Sequence, residues 1–239
     1  QAGIKTPHTI LLDIKYWQDV FENGKSFTFP VFPCIMKPTN GTRGSFVWLI
    51  EDRDSLASHV AYIRNNQAEF EWVHSWILQE CMQHSLGCDV RAFVLNGRVL
   101  CSKKRVSGSA TEFRTHVYMG GASDPHFILA PDDARMAVRA VQSMGLFYAG
   151  VDMLFMNSDH TELCINEINC GCSFNGHRIP EEEMKLIVAK EIILHTLKLS
   201  IVSLAKTILR HVFGQVALQM YGLGRANDCS GTSEEFEDV

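Results

Sequence analysis

Short runs in which apolar and polar positions alternate recur along the chain. Between them lie longer stretches where apolar residues return every three to four positions. The first pattern predicts strands and the second predicts helices. Residues 34–38, CIMKP, read as a strand, residues 40–44, NGTRG, as a tight loop, and residues 45–50, SFVWLI, as the returning strand. Asp54 or Ser55 can cap a helix over 55–66. SWILQEC, 75–81, reads as a buried strand with a polar end. The clearest hairpin is 89–106, DVRAFVLNGRVLCSKKRV, where Asn96-Gly97 supplies a type I′ turn between alternating flanks. APDDARMAVRAVQSMGL, 130–146, predicts a helix with Pro131 at its start and acids in its first turn. YAGVDMLFM, the turn NSDH at 157–160, and TELCINEI predict a further hairpin. Residues 181–212 predict one or two amphipathic helices. Pro7, Asn23-Gly24 and Pro30 mark turns, and the acidic end GTSEEFEDV predicts disorder. Hairpins mixed with helices give an α+β class rather than a βαβ repeat.

Composition adds mainly exclusions. The 239 residues, 46 % hydrophobic and 21 % charged, suit one large globular domain or two lobes. A net charge of −5 argues against a general nucleic-acid surface. None of the eight cysteines sits in a CxxC pair, which argues against structural zinc and for reduced, mostly buried thiols in the cytoplasm. The chain begins at Gln1 and is expected to be a fragment or processed product. The stretch 192–209 carries His195, Lys198 and Lys206, so a packed or peripheral helix is expected there and no membrane span. His8, His59, His74 and His84 stand alone, and Ser107 and Ser109 lack the spacing of a hydrolase triad.

What needs explaining is CINEINCG, 164–171, which sets Glu and Asn among apolar residues. Side chains alternate faces along a strand. Glu167 and Asn169 therefore share a face. With a four-residue turn, Asp152 lies opposite Ile165 and diagonal to Glu167, within ~7–8 Å. Oxygen ligands converging in this way suit a hard cation such as Mg²⁺. A satisfied polar network or a solvent-facing edge explains the same residues. Lys37 beside a glycine loop can hold phosphate oxygens, although no Walker pattern is present and a surface hairpin is the plain alternative. Arg91, Lys103, Arg105 and Arg114 fall in or next to one hairpin, and Asp89 shares a face with Arg91. A basic groove beside an acidic site suits phosphoryl transfer to a carboxylate, and a solvated charged face is the alternative.

Several ordered segments together resemble the ATP-grasp superfamily, and within it the RimK-type glutamate ligases. FPCIMKPTNGTRG is similar to the family's lysine-plus-glycine-loop strand. LQECMQHSLGCDVRAFVLNGRVL, EFRTHVYMGG, AGVDML and INEINCG resemble its later motifs in their usual order, and the likeness runs from Ala2 to about Leu199. The resemblance implies an ATP-grasp fold of two α+β lobes clasping a nucleotide. Residues 1–78 would form the first lobe, 79–200 the second with the metal site, and 201–239 a C-terminal helix and tail. A domain and an ATP-contacting lysine would precede Gln1.

The resemblance also assigns roles. Lys37 would contact the phosphates, Glu80 and Cys81 would form the hinge beside adenine, and Asp89 would lie near the ribose. Arg114, Thr115 and His116 match the triphosphate-side segment. Asp152, Glu167 and Asn169 would hold Mg²⁺ or Mn²⁺, Arg91 and Arg105 would meet the acyl phosphate or substrate carboxylate, and Asn166 would point to the opposite face. The implied activity is ATP-dependent ligation of a small-molecule or peptide carboxylate to an amine, glutamate in the nearest relatives, through an acyl phosphate. The alternative is a non-catalytic nucleotide-binding or scaffold protein. It is motivated by His116 where Asn is usual and by a glycine loop lacking the second glycine.

Overall fold

The computed structural model describes residues 3–17, 31–41, 44–109, 112–115, 121–172 and 178–220, with side chains described to residue 206. The turns expected at Asn23-Gly24 and Pro30, the centre of the NGTRG loop, and the acidic end lie outside the described residues. The chain divides into two units, 1–185 and 186–239. The first holds two antiparallel sheets, each covered on one face by a helix.

The first sheet is built from β1 (Thr9–Leu12), β2 (Cys34–Pro38), β3 (Trp48–Ile50) and β4 (Trp76–Glu80), in the order β1-β4-β2-β3. As the alternation predicts, β2 and β3 pair as a hairpin with Cys34 opposite Ile50. Helix α1 (Arg53–Asn65) packs Leu56, Val60 and Ile63 against Met36, Ile50, Trp76 and Leu78. Its cap is Asp52, two residues before the earlier of the two expected caps: Asp52 is extended, with φ −158°, and its carboxylate accepts the Ser55 N–H at 2.7 Å. Asp54 instead sits inside the first turn, where its charge faces the helix N-terminus.

The second sheet contains β5 (Cys88–Leu95), β6 (Arg98–Val106), β7 (Ala122–Asp124), β8 (Tyr148–Phe155) and β9 (Leu163–Asn169), in the order β7-β6-β5-β8-β9. The β5–β6 hairpin turns at Asn96 (φ 48°) and Gly97 (φ 73°), the doubly positive pair a type I′ turn requires. Helix α2 (Pro131–Ser143) starts with Pro131 in its first turn and buries Met136, Ala137, Ala140 and Val141 against Val90, Ala92, Val94, Val151 and Met153. These strand residues occupy every second position. The positions between them face away from α2, and they carry the charges described below.

Helix α3, Glu181–Met220, is one continuous element where the sequence expects one or two over 181–212. It begins in the first unit, where Met184 is fully buried, and its remainder is the described part of the second. No helix among the described residues is long and apolar enough to cross a membrane.

Leu78 lies at the centre of the first core with no exposed surface. Leu78→Ala is expected to cost ~2–5 kcal/mol, read as a lower urea midpoint with an unchanged slope.

Candidate active site

The charged face of the second sheet looks into a cleft of about 1140 Å³ whose other wall is the first sheet and its glycine loop. The cleft brings together every sequence-predicted site residue that lies among the described ones. Lys37, Glu80 and Cys81 come from the first sheet and its end. Asp89, Arg91, Arg105, Arg114, Thr115, Asp152, Glu167 and Asn169 come from the second sheet and the segment beside it. His116 lies outside the described residues.

Strand register sets the charge order. Lys103 pairs with Arg91, Arg91 with Asp152, and Asp152 with Glu167, so one row across four strands reads Lys, Arg, Asp, Glu. In the adjacent row Asp89 pairs with Arg105. The β8–β9 register differs from the expectation that set Asp152 opposite Ile165. The loop is longer than four residues: it closes with the Met156 N–H on the Glu162 carbonyl at 2.9 Å, and the Asn157 side-chain oxygen accepts the N–H groups of Thr161 and Glu162. A bulge then inserts Asn166, because Met153 pairs with Ile165 but Asp152 pairs with Glu167. Turn and bulge together set the carboxylates of Asp152 and Glu167 directly opposite each other. The bulge also corrects the expectation for Asn166, whose side chain lines the cleft and accepts a hydrogen bond from Lys37 Nζ at 3.1 Å.

Asp152 is 4 % exposed. Arg91 grips it from Nε and an η nitrogen at 2.6 and 2.5 Å, and Arg105 reaches it at 3.1 Å. Burial alone would raise its pKa, but the two guanidiniums outweigh burial and hold it at about 2. Arg105 makes a second bidentate pair with Asp89, both bonds 2.6 Å, and the Thr115 hydroxyl donates to the same carboxylate at 2.5 Å. Asp89 is nevertheless raised, by burial first. Glu167 is raised by burial and then by the Asp152 charge facing it, while Asn169 opposes the shift by donating its amide N–H to Glu167 at 2.8 Å. Burial lowers Lys37, and the charges of Glu167 and Asp152 partly restore it. Lys103 is lowered to about 8 by burial and by the neighbouring Arg91 and Arg105 charges. Sequence reading noted Lys103 only as part of a basic hairpin, although its two-residue spacing from Arg105 already places it on the same face.

The residues expected on the nucleotide side sit between the two sheets. Glu80 ends β4, and its backbone N–H and carboxylate bond the His8 carbonyl and N–H at 2.8 and 3.2 Å. Cys81 is buried, and burial raises its thiol pKa. Arg114 is held by Glu112 through two 2.8 Å contacts and donates across the cleft to the Gly44 carbonyl of the glycine loop at 3.0 Å. A second depression, about 690 Å³ and lined by Lys5, Asp133 and Arg139, adjoins α2 and holds none of these residues.

This geometry can be set beside known proteins. The model of the RimK-like ATP-grasp domain matches residues 1–195. The chain belongs to the RimK-like ATP-grasp domain family. A probable alpha-L-glutamate ligase of Picosynechococcus sp. is 34 % identical over 144 residues, which are 60 % of this chain and 44 % of that ligase. The chain therefore spans less than half the length of that relative. The VanG D-Ala:D-Ser ligase of Enterococcus faecalis superposes with a TM-score of 0.56 at 20 % identity, covering 77 % of this chain and 53 % of that one. A D-alanine–D-alanine ligase of Bacillus anthracis superposes with a TM-score of 0.54 at 15 % identity, covering 82 % and 64 %. At those identities the likeness establishes the fold, which is an α+β ATP-grasp fold.

An ATP-grasp site implies a divalent cation, and the residues fit one. Among the described residues no three His, Cys, Asp or Glu cluster as a metal site, so the donors are two carboxylates and an amide. Opposed carboxylates that raise Glu167 are a charge arrangement a cation relieves, and all-oxygen donors suit Mg²⁺. A half-turn of the Asn169 amide would present its oxygen.

The pKa of Asp152, about 2, lies below its ordinary 3.8, so its ionic stabilisation is fully present above about pH 4 and is lost as pH falls toward 2. Asp152→Asn strands Arg91 and leaves Arg105 with Asp89 alone, and is expected to cost ~3–5 kcal/mol at pH 7 in urea unfolding. The gap to wild type should narrow between pH 4 and pH 2.

Proposed function

We propose that the protein is an ATP- and Mg²⁺-dependent carboxylate–amine ligase, forming an amide through an acyl phosphate. The observation that carries this reading is the opposed Asp152–Glu167 pair with Asn169, lying in one cleft with Lys37. In this reading residues 1–78 and 79–200 are the two lobes and 201–239 the helical tail. Glu80 and Cys81 line the adenine end, and Asp89 lies toward the ribose. Lys37, Arg114 and Thr115, with His116, serve the triphosphate. Asp152, Glu167 and Asn169 hold Mg²⁺, or Mn²⁺ in its place, and the ion supplies neutralisation of phosphate charge.

The acceptor carboxylate attacks the γ-phosphorus, ADP departs, and an amine displaces phosphate to form the amide. Arg91 and Arg105 serve the charge that develops on the acyl phosphate. Arg91 is the better placed, because its side chain is 19 % exposed against 11 % for Arg105. The relative named a probable alpha-L-glutamate ligase supports glutamate as the amine, and the acceptor in this reading is a small acid or a peptide end. Free, mostly buried thiols support a cytoplasmic setting.

A second reading, a non-catalytic nucleotide-binding or scaffold protein, is favoured by one observation. Both oxygens of Asp152 are already neutralised by guanidinium, so the acidic site persists without a metal.

Calorimetric titration of MgATP into wild type and Glu167→Gln separates the two readings. The ligase reading expects Mg²⁺-dependent binding that weakens at least tenfold in the variant, followed by ADP release when glutamate and an acceptor acid are supplied together. Nucleotide binding equal in both proteins and without Mg²⁺ dependence favours the scaffold.

A further inference from the structure

Lys37 and Asn166 are 129 positions apart in sequence and lie on different sheets, yet the Lys37 ammonium donates to the Asn166 side-chain oxygen at 3.1 Å. The bulge sets this contact beside Glu167. From Ile165, which packs in the core under α2, alternation carries residue 166 to the cleft face, and the extra residue then keeps Glu167 on that face too. As the extra residue between the Met153–Ile165 and Asp152–Glu167 pairs, it is released from the ladder, and its amide lines the cleft. Lys37 is tethered only at its backbone, in β2, where it pairs with Ile77 of β4. Its four-carbon stem leaves the ammonium many rotamers, which cost on the order of 2 kcal/mol to freeze.

The cleft offers Lys37 strong competitors. The carboxylates of Glu167 and Asp152 are close enough to act on its charge. A direct ion pair with Glu167 would draw the ammonium into the donor set that the proposed cation needs. A neutral acceptor one residue away avoids that outcome: it satisfies one donor and leaves the other two for phosphate oxygens.

We infer that Asn166 is a positioning residue, which holds the Lys37 ammonium at the triphosphate end of the cleft and away from the Glu167 carboxylate. This inference rests on the ligase reading for the identity of the ligand. It deepens that reading by adding a residue that touches neither nucleotide nor metal and acts through Lys37. The contact also joins the two sheets across the cleft, so the same hydrogen bond couples Lys37 placement to closure of the site.

Two measurements test it. The first needs no nucleotide: acylation of Lys37 by a limiting amine-reactive ester, quantified by mass spectrometry against Lys5 in the same sample. Asn166→Leu keeps the side-chain size and removes the acceptor, and is expected to change the Lys37-to-Lys5 labelling ratio by about tenfold, the scale of one lost hydrogen bond to a charged group. An unchanged ratio overturns the contact. The second is a double-mutant cycle on MgATP affinity with Asn166→Leu, Lys37→Met and the double variant. The expected result is a loss of about tenfold for Asn166→Leu in the wild-type background and little further loss in the Lys37→Met background. Equal losses in both backgrounds mean that Asn166 acts structurally and overturn the inference. If wild type itself fails to bind MgATP, the ligase reading falls and the nucleotide role of Asn166 falls with it. The labelling ratio then reports separately whether Asn166 holds Lys37.

Discussion

Asp152 is a buried carboxylate on the central part of the second sheet, and the cleft is organised around keeping it charged. Desolvation of an isolated carboxylate at 4 % exposure would drive it neutral. Two guanidiniums prevent this, and each is itself committed: Arg91 to Asp152, and Arg105 to Asp89 as well as Asp152. Thr115 closes the network from the segment beside the sheet. The resulting lattice of alternating charge is stiff because its bonds are charge-assisted and the two bidentate pairs lie near 2.6 Å. Glu167 sits outside this balance. It faces a fixed negative charge that the Asn169 amide and the Lys37 ammonium offset only in part, and that residual imbalance makes the site receptive to a cation.

The same period-two alternation that builds the core builds the charged face. Along β5, Val90, Ala92 and Val94 go to α2, while Asp89 and Arg91 go to the cleft. Core and site are thus two sides of one strand, and a register slip of one residue would exchange them. The type I′ turn at Asn96-Gly97, a one-residue register shift between Phe93 and Val94, and the packing of α2 together set that register, so residues away from the chemistry keep the charges aligned.

Cross-cleft contacts give the two sheets a defined relation. Arg114 reaches the Gly44 carbonyl, and Lys37 reaches Asn166. The glycine loop is therefore anchored to the sheet it must close upon, through a backbone oxygen that any loop residue could supply. Gly150 matters for a different reason. A Cβ there would lie 2.8 Å from the Cys172 Cβ, so the lack of a side chain lets the segment after β9 descend onto the floor of the cleft.

Period and turn chemistry are local, and they sufficed for β2 to β6, β8, β9 and the helices, for the two central hairpins, and for the face on which Asp89, Arg91, Asp152, Glu167 and Asn169 lie; the short strands β1 and β7 carried no such signal. The ordered motifs of the sequence were also enough to identify the family. Distances across the β8–β9 pair were beyond it, since they depend on a loop one residue longer than the turn signal suggests and on a bulge that no composition marks. The cap at Asp52 was also missed, because several acids near a helix start compete and backbone geometry chooses among them. Only the tertiary structure decided that Asn166 meets Lys37, that Arg91 and Arg105 are tied to carboxylates, and that Lys103 completes their row. Those facts arise where strands distant in sequence are brought into register, and the energy that selects them is the cost of burying charge without a partner.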